Sequence, residues 1–319
     1  GVLVAVSGAL SGIFVVIANA WMNTPTGFTM VDGVPTGIDP VAAIFNPAAA
    51  TQTIHMTLAA YAATGFGVAG IHALLLLRQP QNAFHRRALL VSLLVGGPAA
   101  LLQPLSGDRS AKMVASEQPA KFAAMESHFT TEASAPFIIG GIPDMATGET
   151  RFAIEIPYVL SFLAHGDFHA EVTGLDAVPR EDWPNVPLVH WSFQLMVALG
   201  MFLVACTVLA MWTRWRGREL AENRLLLRML VLAAPMGFIA TEAGWMVTEL
   251  GRQPWIIQGV MRTSEAVTPM PGLIVPFLFF TVLYVLLAVA VVWLMRRQIL
   301  ASPDIEERPP LGEPLPQGA

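Results

Sequence analysis

Six stretches of this chain are apolar and long enough to cross a lipid bilayer, and no other feature narrows its possible folds so far. A helical span needs about 20 mostly apolar residues. The stretches lie near 1–22, 50–77, 88–105, 188–213, 225–249 and 272–295. The third is short and reads as tilted or irregular. In hydrocarbon every backbone polar group must be bonded within the protein, so such segments fold as helices. The expected fold class is all-α, a polytopic membrane helix bundle. Composition agrees: 13% of the 319 residues are charged, against about 25% in soluble domains.

Charge orients the bundle. Arg78, His85, Arg86 and Arg87 lie between segments two and three. Arg214, Arg216, Arg218 and Arg224 lie between four and five, and Arg296 and Arg297 follow six. With six spans these positions share one side, which the positive-inside rule makes cytoplasmic. The expected organisation is three spans in 1–105, an outer loop over 106–187, three more spans in 188–297, and a disordered cytoplasmic tail over 298–319. The tail is Pro-rich and acidic over 302–319. The loop exceeds the usual length of a bare connection, and its apolar stretches predict partial folding. Gly1 opens inside an apolar run with no charged leader region and no small-residue cleavage site. That reads as a piece of a longer protein, not as a signal peptide. Cys206, the one cysteine, excludes an intramolecular disulfide and a cysteine-ligated cluster. No basic nucleic-acid patch and no phosphate loop is found.

A few residues carry chemistry. His55 sits about five residues into the second segment, a depth of about 8 Å, and Met196 about eight residues into the fourth, a depth of about 12 Å. A histidine nitrogen and a methionine sulfur at similar depth can clamp one heme iron. The plainer alternative is a hydrogen-bonded histidine and a methionine that fills core space. Glu242 is an ionisable group at membrane depth, which marks a functional candidate. Metal ligation, proton relay and a structural ion pair all stay open for it. Glu249 and Arg252 lie near the outer interface and can simply pair. In the loop, Lys121 and Glu126 belong either to a solvated amphipathic helix or to a site for a polar headgroup.

Taken together, the segments resemble subunit I of the cytochrome bd-type quinol oxidases, over nearly all of the first 300 residues. The blocks are Ser11–Gly27; Gly107-Asp108 followed by Glu117–Glu126; Phe152–Tyr158; Ser192-Phe-Gln-Leu-Met196; and Glu242-Ala-Gly-Trp245 with Gly251-Arg-Gln-Pro-Trp255. The resemblance implies that His55 and Met196 are axial ligands of a low-spin heme b. It implies that Glu242 is the catalytic carboxylate, ligating iron in a pair made of a high-spin heme b and heme d. Gln194, Trp245 and Arg252 are implied to line the cofactors, and Lys121, Glu126 and Asp108 to bind quinol. The implied reaction oxidises quinol at the outer face and reduces O2 to water, in a multi-pass protein of the bacterial inner membrane. Implied partners are subunit II, a small single-helix subunit and membrane lipid, with no nucleic acid.

There are departures from the family. Gln194 stands where it usually has arginine, which implies a lower heme potential. Phe238 stands where a tryptophan is common. The stretch from Tyr158 to Met196 is short, as in the family's short-loop branch, and the family's first three helices have no counterpart. The rivals are a proton-coupled secondary transporter without cofactor and a non-catalytic heme-binding fragment.

Overall fold

The computed structural model describes residues 1–300. The helices are α1 (Val2–Asn23), α2 (Pro40–Ile44), α3 (Ala49–Arg78), α4 (Ala83–Glu117), α5 (Pro119–Glu126), α6 (Val159–His165), α7 (Val186–Trp215), α8 (Arg224–Leu250) and α9 (Ile274–Leu300). Six are long and apolar enough to cross a membrane: α1, α3, α4, α7, α8 and, over Ile274–Ile299, α9. Side-chain amides set three of the starts. Asn82, Asn185 and Asn223 accept hydrogen bonds from the first turns of α4, α7 and α8, satisfying donors that a helix leaves open.

The third span corrects the sequence reading. It is the longest helix of all and begins at Ala83, not near 88. Polar residues 106–117 continue it, so the loop starts at 118. A helix leaving the membrane needs no apolar side chains, and nothing stops this one until Gln118-Pro119, where the proline disfavours helix at the residue before it. Pro98 and Pro104 lie inside α4, as membrane helices tolerate when neighbours satisfy the freed carbonyls. The expected tail is corrected at its start as well, because α9 runs to Leu300. The rest of that expectation, 301–319, lies outside the described residues.

α3 is the hub of the bundle. A Cβ added at Gly65 would sit 2.5 Å from the Cα of Gly96 on α4, and one at Gly237 on α8 would sit 2.5 Å from the Cα of Ala63. Backbones touch at both crossings, which is how membrane helices gain packing without a hydrophobic driving force. Leu76, Leu89, Leu226, Leu227 and Leu230 fill the core below these crossings. α1 packs along α3, while the membrane-crossing stretch of α9 has no buried residue.

The connections sort to two ends. At the basic end, Arg86 bonds Glu219 at 2.7 Å, tying the α3–α4 turn to the α7–α8 turn. The other end carries short antiparallel pairs: β1 (Thr29–Val31) with β2 (Val34–Thr36), β3 (Glu132–Ala133) with β8 (Glu171–Val172), β4 (Phe137–Ile139) with β7 (Ile154–Ile156), β5 (Ile142–Asp144) with β6 (Glu149–Arg151), and β9 (Trp255–Ile257) with β10 (Met261–Arg262). A second core of Phe122, Met125, Phe129, Leu160, Leu175, Val189 and Val247 joins this loop layer to the ends of α7 and α8.

Candidate functional site

His55 lies near the loop end of α3, against α4. Its Nδ1 is 2.9 Å from Ser106 Oγ, and its Nε2 is 3.2 Å from the Gln103 amide nitrogen. Gly107 faces the ring, with space for a Cβ only at 3.6 Å from Cε1. Thr53 Oγ1, Gln103 Oε1 and Ser110 Oγ, close in sequence to these contacts, are buried without partners.

Met196 meets α8. A Cβ at Gly244 would come 3.1 Å from its sulfur, and one turn earlier on α7 Ser192 Oγ lies 3.9 Å from Met246 Sδ. α3 and α8 run antiparallel, since Gly70 meets Ala234 while Ala63 meets Gly237. Extending that register by two turns brings His55 level with roughly residue 245 of α8. His55 and Met196 therefore reach the same level from two helices that both pack on α8. Among the described residues no group of three or more His, Cys, Asp and Glu converges to hold a metal. A heme iron needs only two axial side chains, so this leaves the His55–Met196 pair open as a candidate.

A second cluster forms where α1, α5 and α8 meet. Lys121, 5% exposed, donates to Asn23 Oδ1, and its stem lies against Gly251. Burial, with the Arg252 cation adding to it, pulls the Lys121 ammonium down to about 7; Glu249 opposes the shift. Arg252, 3% exposed, bonds Glu249 at 2.5 Å, while its Nε and Nη1 are buried without partners. Asn19 donates to the other Glu249 oxygen. The pairing of Glu249 with Arg252 was legible from their common place near the outer interface, three residues apart where α8 ends. The part played by Asn19 and Asn23 was not, since they lie about a hundred residues or more away in sequence.

The remaining candidates are dispersed. Glu126 is 3% exposed with Oε2 unpartnered, and burial pushes its carboxyl up to about 8. It is about 140° around α5 from Lys121, so the two do not face one cluster. All of Lys121–Glu126 is buried, which corrects the solvated-helix alternative: α5 is covered by the loop's own core. Asp108 is corrected from loop to helix. It is exposed on α4, pairs with Lys112 at 2.7 Å, and follows the glycine that faces His55. Gln194 bonds loop backbone, donating to Ile138 O at 2.9 Å. Trp245 is half-buried beside Gly244. Glu242 is exposed, two turns from Glu249 on the same stripe of α8.

Fold and clusters together define a polytopic membrane protein with a built polar site at one end. The chain matches the family model "Cytochrome bd terminal oxidase subunit I" over residues 1–303 and belongs to that family. It is 38% identical over 299 residues to a Bacillus subtilis (strain 168) protein provisionally named a cytochrome bd menaquinol oxidase subunit I, covering 92% of this chain and 67% of that protein. It is 30% identical over 310 residues to cytochrome bd ubiquinol oxidase subunit 1 of the same organism, covering 93% and 66%. The solved bd oxidase from Geobacillus thermodenitrificans superposes with a TM-score of 0.85 at 36% identity, covering 94% of this chain and 69% of that one. The chain thus spans about two thirds of the length of these relatives. The family is one of heme-containing terminal quinol oxidases, multi-subunit complexes of the bacterial cell membrane, and the transporter alternative finds no support.

Proposed function

We propose that this chain carries the quinol-oxidising and low-spin heme part of a bd-type terminal oxidase, with His55 and Met196 as axial ligands. The observation that supports this most is their common level on two helices flanking α8, each opposite a glycine. When bound, heme b (low-spin), heme b (high-spin) and heme d supply one-electron transfer and the reduction of O2 to water. The chain's own residues do the rest. A hydrogen bond from Nδ1–H to Ser106 fixes the His55 tautomer, and Nε2, 3.2 Å from the Gln103 amide nitrogen, is the nitrogen that would turn to iron once that amide moves aside. Lys121, Arg252 and Glu249 form a polar floor for a quinol headgroup, and Glu126, which faces away from that floor on α5, accepts the proton through intervening water rather than by direct contact. Asp108 stays a peripheral candidate for that site. Subunit II and a small single-helix subunit cover apolar faces such as that of α9.

Glu242 is assigned to the high-spin pair, because it lies near the level of Met196. Glu249 competes for the role, because Asn19 and Arg252 hold it in a defined position.

The test is optical, on the assembled membrane complex. His55→Ala should abolish the sharp reduced band of the low-spin heme, and Met196→Leu should leave it weakly ligated and lower in potential. Ordinary low-spin spectra in both variants would sink the ligand assignment. In parallel, Glu242→Ala and Glu249→Ala should differ, and whichever selectively loses the high-spin signals bears the carboxylate. Loss in Glu249→Ala alone moves the role two turns outward.

A further inference from the structure

The outer turns of α7 grip the loop layer through four backbone groups of three residues. His190 is fully buried. Its Nδ1 lies 2.8 Å from the carbonyl of Met125, and its Nε2 lies 2.9 Å from the carbonyl of Gly140. One turn deeper, Gln194 donates to Ile138 O at 2.9 Å and its Oε1 lies 3.5 Å from Gly140 N. Met125 ends one arm of the layer, next to Glu126. Ile138 and Gly140 belong to the other arm, the β4 strand and its turn. Gly140 has a φ of +67°, a left-handed conformation that glycine adopts without strain, so this turn can present both its N–H and its carbonyl to α7. Met196 follows Gln194 by two residues.

We infer that His190 is a positioning residue for Glu126, with Gln194 as the second jaw of the same clamp. The inference rests on the proposed role of Glu126 in quinol oxidation. The physical argument is one of degrees of freedom. A short helix of eight residues cannot fix its own last side chain, because its terminal carbonyls lack partners within the helix. His190 supplies a partner to the carbonyl immediately before Glu126. It does so from the same helix that carries Met196, so the anchor of the proton acceptor and the heme ligand share one rigid element. Packing alone would not need both ring nitrogens to be aimed at carbonyls of two different chain segments. Loss of the ring frees both segments at once and leaves at least one buried carbonyl without its N–H donor, since a neutral imidazole donates from one ring nitrogen and an imidazolium from both.

The experiment is a double-mutant cycle on the assembled oxidase in membranes, read as KM and kcat for quinol. His190→Leu should raise KM or lower turnover by about ten-fold, the scale of one or two lost buried hydrogen bonds, while the reduced low-spin heme spectrum keeps its intensity. In a Glu126→Gln background the same change should add little, because residues acting through one another are not additive. His190→Gln, whose amide carries two N–H donors, should recover much of the activity and serves if the leucine variant does not assemble. Hydrogen exchange should rise at 125–128 and 137–141 in His190→Leu. Normal kinetics in both His190 variants, or losses that add in full to those of Glu126→Gln, would overturn the inference while leaving the Glu126 role intact. Unchanged kinetics in Glu126→Gln would instead remove that role, and the positioning function with it.

Discussion

Glu126 and Lys121 are ionisable groups that the fold has moved toward neutrality. Burial holds the Glu126 carboxyl at about 8 and the Lys121 ammonium at about 7. The direction matters for function. A proton acceptor must be ionised, and Glu126 is mostly protonated near pH 6 and about half ionised near pH 8. Quinol oxidation in wild-type membranes should therefore climb across that window, and Glu126→Gln should flatten the climb. Lys121 runs the other way, charged below about 7 and neutral above, so Lys121→Met should remove any component that falls with rising pH. An identical pH profile in the Glu126→Gln enzyme would show that another group takes the proton. Both residues were singled out in the sequence through the resemblance. Their burial was not, because Lys121-Phe-Ala-Ala-Met-Glu126 fits an amphipathic surface helix equally well. Only the loop's folding over it, with Phe129 and Leu175 in the same core, decides. Glu249 was read as half of a plain ion pair because its second partner, Asn19, is 230 residues away.

Apolar length predicts the helices well and their ends poorly. Every candidate span among the described residues was found, because about 20 residues of hydrocarbon thickness leave a mark that no loop imitates. α4 was cut short at both ends. Its start is set by Asn82, whose side chain accepts from His85 N at 3.2 Å, and its finish by Pro119. Both are local signals that an apolar window ignores. The crossings of α3 provide a test at this scale. Gly65→Ala brings a methyl against Gly96 backbone at 2.5 Å, whereas Gly67→Ala meets only the edge of the Phe238 ring at 3.0 Å. The first should cost about 1–3 kcal/mol by overpacking, and the second less, because a side chain can turn aside. Thermal loss of the heme absorbance in the two variants checks the ranking, and equal midpoints would contradict a backbone contact.

At the scale of the molecule the two ends differ in kind. The basic end is a pair of short turns joined by Arg86 and Glu219. The other end is a folded layer, stitched to the bundle by Lys121 on Asn23 and by Gln258 N on Met22 O at 2.9 Å, and tied within itself by Arg262 on Asp182 at 2.7 Å. The excess of arginine at the first end predicts that it is cytoplasmic. Because the one native thiol, Cys206, is buried, single cysteines can report sidedness directly. A Glu222→Cys variant should react with a membrane-impermeant reagent only from the cytoplasmic side, and Glu171→Cys only from the outside. The reverse pattern would put quinol oxidation on the wrong face for the proposed chemistry. The layout of spans and loops at this scale was the most legible part of the sequence. The stitching was the least, since each stitch joins distant segments.

The contact between Gly65 and Gly96 also bears on how such a chain can change over generations. At Gly67 a larger residue can be accommodated if Phe238 becomes smaller, so those two positions can drift together. Gly65 and Gly96 offer no such exchange, because each already has the smallest possible side chain and the obstacle is the other's backbone. Neither site can compensate for the other. Variation there is closed unless the two helices themselves move apart, and since α3 also abuts α8 at Ala63 and Gly237, that movement would have to be repaid across the whole bundle.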